Sequence, residues 1–227
     1  MKKFKDITYS LKQSKRKTMS IYVERDGAVS VLAPDELSVP EIEQVIASKK
    51  YWIHKQKAEL ELLNLSKVER EFVSGESFLY LGRPYTLKVV EDLDVPLKLY
   101  QGYLHLRKSD IKRGTELFKE FYKTKGTTKI IERINLYKDM IGVNPKNIRI
   151  MELKSRWASC SERSLNFNWK VMMAPLTIID YIVVHELTHF IHPNHTEAFW
   201  NSVDKVLPDY WERKNWLKDN GASLDLA

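Results

Sequence analysis

The sequence predicts an α+β protein: a β-rich N-terminal module carrying one long helix, residues 1–108, followed by a second part, residues 109–227, in which helices pack on a small sheet. Three observations carry this prediction. Alternating apolar and polar runs flank glycines through the first part, apolar residues recur at helical spacing from Ile111 onward, and two short alternating segments stand directly before an apolar helix. At 227 residues and 43% hydrophobic content the chain is long enough to build a real core.

The first element pair lies in "TMSIYVERDGAVSVLAP", where two β-branched runs flank Asp26-Gly27, a dipeptide suited to a hairpin turn. Ser38 then stands three residues before Glu41, with Pro40 between them, a capping-box start. Ile42, Val45, Ile46, Trp52 and Ile53 follow at helical spacing, which predicts one helix to about Leu63. Further antiparallel strands are read from "SFLYLGRPYTLKVV" and "VPLKLYQGYLHLRK", with turns at Gly82 and Gly102.

Leu117, Phe118, Phe121, Tyr122, Ile130, Ile131, Ile134 and Leu136 are spaced for one long helix or for two interrupted at Gly126. "NIRIMELK" reads as a strand. In "SLNFNWKVM", Leu165, Phe167, Trp169 and Val171 fall on one face, with Ser164, Asn166, Asn168 and Lys170 on the other. "SRWASCSER" joins these two strands. Thr177 and Asp180 resemble a capping box, and Pro175 fits a first turn equally well. Either opens a helix carrying Ile178, Ile179, Ile182, Val183 and Leu187.

A lone cysteine, Cys160, leaves no internal disulfide and fits a reducing compartment. The start "MKKFKDITYSLKQ" lacks the apolar run of a secretory signal, and no segment approaches eighteen apolar residues in a row, so a cytoplasmic protein without a membrane span is expected. The formal charge is +7, and residues 1–20 hold seven basic residues against one acidic. Such a cluster can meet phosphates, as in nucleic acid, but lysines also solubilise sheet edges.

"HELTHFIHPNH", residues 185–195, gathers four of the six histidines and carries the chemistry. Residues four apart on a helix lie about 40° apart on one face, so His185 and His189 can grip one ion. Glu186 is angled aside and can reach a water on that ion as general base, which is the mechanical content of H-E-x-x-H. A catalytic zinc site takes a third protein ligand and keeps a fourth position open. His192 precedes Pro193, which ends the helix near Ile191. Asn194 with Glu197 then resembles the cap of a new helix with His195 in its first turn, facing back to the earlier pair. His195 is therefore assigned as third ligand and His192 as a turn residue, with Glu212 the alternative that a thermolysin-like arrangement would use. Metzincins share the histidine spacing but need a methionine turn downstream, and no methionine follows Met173.

"RWASCSERSLNFNWKVMMAPLTIIDYIVVHELTHFIHPNHTEAFW" and "LPDYWERKNWLK", with "SKRKTMSIYVERDGAVSVLAP" and "KKYWIHKQ" upstream, resemble the YgjP-like metallopeptidase family, relatives of the SprT and WLM zinc proteases. The family's usual Trp-Gly-Ser-Cys is here Trp157, Ala158, Ser159 and Cys160. The resemblance implies a zincin-like metallopeptidase core, zinc on His185, His189 and His195, and Glu186 as catalytic glutamate. A zinc-dependent peptidase acting on peptides or proteins is the leading expectation. Its rival is a nucleic-acid-associated module with a structural zinc, closed by Cys160 or His192 and contacting phosphate through the basic N-terminus. A DNA-linked protease would combine the two. Arg156 and Tyr181 are candidate donors to a developing oxyanion, and nothing in the sequence selects between them. Cys160, Trp157, Phe199, Trp200, Trp211 and Trp216 read as packing residues.

Overall fold

Strand β1 (Lys2–Phe4) turns back on β2 (Ile7–Ser14), in which Ile7 and Tyr9 point to the core while Thr8 and Ser10 face out. The hairpin read around Asp26-Gly27 joins β3 (Ser20–Val23) to β4 (Val29–Pro34), with Val23 opposite Val29. Gly27 supplies the positive φ of 78° that the turn needs. The sheet order is β1-β2-β4-β3, with β2 and β4 parallel. Lys2 and Lys3 are exposed on the edge strand β1, where lysines discourage pairing with another chain. This computed structural model describes residues 1–226 apart from 25, 65–69, 155, 162 and 163.

The capping box forms: the Ser38 N–H and hydroxyl both donate to the Glu41 carboxylate, at 2.8 and 2.6 Å, and open helix α1 (Val39–Ser48). The expected single helix is instead two, because Lys49 (φ −100°, ψ 6°) leaves helical geometry before α2 (Lys50–Asn64) begins. Ile42, Ile46 and Ile53 are fully buried beneath the strands. Trp52, expected on the same stripe, is 41% exposed.

Residues Met1–Lys67 and Val68–Ala227 form separate compact units, so the division falls well before residue 108. Strands β5 (Ser77–Tyr80), β6 (Arg83–Val90), β7 (Leu97–Tyr100) and β8 (Tyr103–Arg107) were expected with the N-terminal module. Their inward residues Phe78, Leu87, Leu104 and Leu106 instead share a core with Phe118 and Trp169 of the second unit. Both hairpins close with two positive φ values, Leu81-Gly82 and Gln101-Gly102, the tight turn matched to strand twist. Their sheet runs β5-β6-β8-β7.

Helix α3 (Gly114–Ile141) is continuous through Gly126. That glycine serves packing: a Cβ there would stand 2.6 Å from Ile150 Cδ1 and 2.8 Å from Met172 Cγ, so its absence lets the sheet lie close. The second sheet of this unit has order β10-β11-β9 and is made of β9 (Asn147–Met151), β10 (Ala158–Ser161) and β11 (Ser164–Asn168). "SRWASCSER" therefore contains a strand of its own. Strand β11 stops at Asn168 and the chain tightens into a 3-10 turn, Trp169–Met173. Helix α4 (Leu176–Thr188) follows from Pro175, then α5 (Glu197–Val206) and α6 (Tyr210–Asn220). Asp180 does not cap α4. Its buried carboxylate takes a bidentate bond from Arg133 of α3, Nε at 2.5 Å and Nη2 at 2.9 Å, which clamps the two helices together. No helix among the described residues is long and apolar enough to cross a membrane. The architecture is α+β, with several small sheets and the helices concentrated in the second unit.

Candidate active site

Helix α4 is apolar on nearly every side, so ten of its thirteen residues are buried and its end is held firmly in the core. His185 and Glu186 stand on its last turn, and His189 is its C-cap. The helix ends sooner than residue 191, and the tightening bonds from Phe190 N–H to the Leu187 carbonyl and from Ile191 N–H to the Thr188 carbonyl start the turn toward Pro193. His195 lies just ahead of α5, whose N-cap is Thr196, so it belongs to the loop and not to a first helical turn. The loop nonetheless carries it back: one ring nitrogen from each of His185, His189 and His195 lies within 4.8 Å of the others.

The spacing of these nitrogens fits a metal. His185 Nε2 and His195 Nε2 are 3.0 Å apart, and two zinc–nitrogen bonds of about 2.0–2.1 Å at a tetrahedral angle separate their nitrogens by about 3.3 Å. Two imidazole lone pairs facing each other at this distance call for a shared proton or cation. Burial, with His189, His195 and Lys214 nearby, pushes His185 down to about 3, and burial lowers His195 as well. Both rings are thus kept neutral, the state in which imidazole binds metal.

Neighbouring groups fix the rings. His189 Nδ1 lies 3.1 Å from the His192 carbonyl, which makes it the donor and leaves Nε2 as the free lone pair. The His192 ring turns away to Ser202 Oγ at 3.1 Å, so it is a turn residue. Phe199, fully buried, sits under the cluster with its ring centroid 4.7–5.0 Å from all three imidazoles. Trp200 stacks on His195 at 5.6 Å and 23°, and on Tyr210 at 5.4 Å and 18°. Phe199 and Trp200 were expected only as packing. Their role at the site follows from α5, which starts immediately after His195 and aims both rings back at it. Cys160, His192 and Glu212 are not part of the histidine cluster, so among the described residues the group that could hold a metal has three members and no fourth.

Glu186 is 7% exposed, and its Oε2 finds no hydrogen-bond partner among the described residues. Burial pushes its carboxyl up to about 7, against the opposing pull of Arg156. An orphaned carboxylate oxygen beside the histidine cluster is an acceptor held ready for a proton. Both groups open on a cavity of about 650 Å³ lined also by Arg156, Tyr181 and strand β10. The two oxyanion candidates are therefore both at the cavity, and Arg156 is close enough to Glu186 to act on its charge.

Strand β10 is the edge of its sheet. Sequence reasoning placed the substrate edge at Asn166–Val171, but β11 is paired on both sides and that edge does not exist. The fully buried Asn168, expected on the solvent face, fastens the new edge in place. Its Nδ2 donates to the Leu153 and Arg156 carbonyls at 2.7 and 3.2 Å, and its backbone N–H donates to the Trp157 carbonyl at 2.7 Å. With Trp157 bonded inward to Asn168, antiparallel alternation turns the N–H and C=O of Ala158 and Cys160 outward. Ala158, where the family usually has glycine, lies in regular strand.

Two solved structures are similar to part of the chain: the metallopeptidase zymogens abylysin of Pyrococcus abyssi and jannalysin of Methanocaldococcus jannaschii. Each is 26% identical over 38% of this chain, covering 89% and 90% of the respective zymogen, with TM-scores of 0.36 and 0.35. No curated protein matches the chain. Residues 17–220 match the "YgjP-like, metallopeptidase domain" family, so the chain, whose helix end brings three histidines and a buried glutamate to one cavity, belongs to the YgjP-like metallopeptidases.

Proposed function

We propose that the protein is a zinc-dependent endopeptidase with a zincin-like core, in which His185, His189 and His195 hold the metal and Glu186 is the general base. The observation that carries this reading is the pairing of a three-nitrogen cluster with a buried carboxylate, one residue along the same helix, whose Oε2 has no hydrogen-bond partner among the described residues. When bound, zinc polarises a peptide carbonyl and lowers the pKa of a coordinated water toward about 7.

The chain's own residues supply the rest. Glu186 accepts a proton from the attacking water on its orphaned Oε2 as the water oxygen bonds the carbonyl carbon. It then returns that proton to the amide nitrogen as the C–N bond breaks, giving a carboxylic acid and an amine. A residue whose pKa sits near neutrality suits both transfers. Ala158 and Cys160, with backbone groups turned outward, offer an extended substrate the rungs of an added strand. His189 is kept in the correct tautomer by the His192 carbonyl.

Glu186→Gln keeps the shape and removes the base. It is expected to retain zinc and to lose peptide hydrolysis by at least about a hundredfold; turnover retained in this variant would remove Glu186 from the mechanism. The rival reading, a structural zinc in a nucleic-acid module, needs a fourth protein ligand, and neither Cys160 nor His192 is placed to provide it.

A further inference from the structure

Two of the three clustered histidines ride on α4: His185 stands in its last turn and His189 caps it. His195 does not. It lies on the loop before α5 and is exposed, so its place beside the pair depends on what holds its ring. A metal-binding imidazole is ordinarily oriented by a hydrogen bond from its other nitrogen, as the His192 carbonyl does for His189. Among the described residues His195 Nδ1 has no such partner, and the ring's one polar contact is Nε2 to His185 Nε2 at 3.0 Å.

Two rings hold it instead. Phe199 meets the imidazole edge-on, with centroids 4.8 Å apart and planes at 74°, and Trp200 lies nearly parallel to it at 5.6 Å and 23°. Phe199 and Trp200 stand at 83° to one another, with centroids 5.1 Å apart. A parallel plane and a perpendicular one form an L-shaped seat, in which the imidazole cannot rotate about its Cβ–Cγ bond without losing ring contact.

Phe199 is fixed by burial in the core, whereas Trp200 is half-buried and needs backing. Helix α6 gives it. Tyr210 stacks on Trp200 at 5.4 Å and 18°. Lys214, one turn further along the same face, holds its ammonium 4.2 Å from the Trp200 centroid and 5.1 Å from that of Trp211. Helix α6 is itself tied to α4, because Arg213 Nη1 donates to the Thr177 carbonyl at 2.9 Å while its Nη2 pairs with Asp209 at 2.9 Å. The brace thus starts on the helix that carries two of the histidines and ends on the ring of the third.

We infer that Trp200, backed by Tyr210 and Lys214, positions the His195 imidazole for the metal, so that α6, a helix contributing no histidine to the cluster, sets how tightly the metal is held. The inference rests on the three-histidine metal reading and adds the residues that govern its affinity.

The test is zinc affinity, read by competition with a chromophoric chelator, together with the visible spectrum of the cobalt-saturated protein. Wild type is compared with His195→Ala, Trp200→Leu, Trp200→Phe and Tyr210→Ala. Trp200→Leu is expected to weaken zinc binding by about tenfold to a hundredfold, the usual cost of losing a group that orients a ligand, and to change the cobalt spectrum. Trp200→Phe keeps a ring against the imidazole and should recover most of the affinity. Tyr210→Ala, one ring removed from His195, should weaken zinc binding by about tenfold, and it carries the test if Trp200→Leu does not fold. Wild-type affinity in Trp200→Leu or in Tyr210→Ala overturns the inference, as does weaker binding with an unaltered cobalt spectrum, which a merely destabilised fold would give. Either result leaves the metal reading standing when His195→Ala has lost its affinity. A wild type that binds no zinc, or a His195→Ala that binds it as tightly as wild type, overturns both.

Discussion

Cys160 lies on the cavity's edge strand, and its chemistry there is set by its surroundings. Burial, and secondarily the charge of Glu186, push its thiol up to about 11. At pH 8 the thiolate fraction is then on the order of one in a thousand, and only the thiolate reacts. Alkylation by iodoacetamide in the folded protein should rise with a midpoint near pH 11, whereas the unfolded chain titrates near pH 8.5; a folded-state midpoint near 8.5 would show that the thiol is not held as described. Asn168 shows what one residue does for the edge itself. Replacing it by Ala leaves the Leu153 and Arg156 carbonyls and the Lys170 N–H without these partners. A cost of about 1–3 kcal/mol per group left unsatisfied is expected in chemical denaturation, with a rise in KM as β10 loosens; unchanged stability and KM would remove Asn168 from this role. The sequence placed Asn168 on a polar face because alternation reports which way a side chain points and not what covers it. The neighbouring loop folds over that face and buries it.

At the scale of elements, the position of α4 decides everything that happens at its end. The Arg133–Asp180 pair fixes it to α3, and Asp180 is 7% exposed at its side chain. Removing one partner strands a buried charge: Arg133→Met is expected to destabilise the fold by about 3 kcal/mol, and Arg133→Met with Asp180→Leu to recover most of it. A single variant as stable as wild type would contradict the clamp. Much of this helix was legible in advance, since its apolar residues recur without interruption and Pro193 marks where it cannot continue. The hairpins were legible because their glycines permit the positive φ that the turns use. What stayed hidden depended on distant partners. Thr177 and Asp180 read as a local cap, and Arg133, 47 residues away, took the carboxylate instead. Strand β10 was hidden in "SRWASCSER" because four residues without apolar alternation become a strand only when β11 lies beside them.

For the molecule as a whole, the same limit appears in the division of the chain. Strands β5 to β8 follow the N-terminal strands in sequence and resemble them in texture, yet they join the second unit because their apolar faces find α3. Periodicity shows that a face is apolar and leaves open which core receives it. The site was more legible than the division because its three histidines sit within eleven residues, where helix geometry and one proline-driven turn suffice. The aromatic floor of Phe199 and the Trp200 stack are consequences of α5 following at once.

The central claim is an open site of three histidines. Bound metal per chain, measured by mass spectrometry on the purified protein and on His195→Ala, His192→Ala and Cys160→Ser, tests it directly. About one zinc per chain is expected in wild type, retained in His192→Ala and Cys160→Ser and lost in His195→Ala. Loss of zinc in Cys160→Ser or His192→Ala would mean a site closed by a fourth protein ligand, and would contradict the peptidase account.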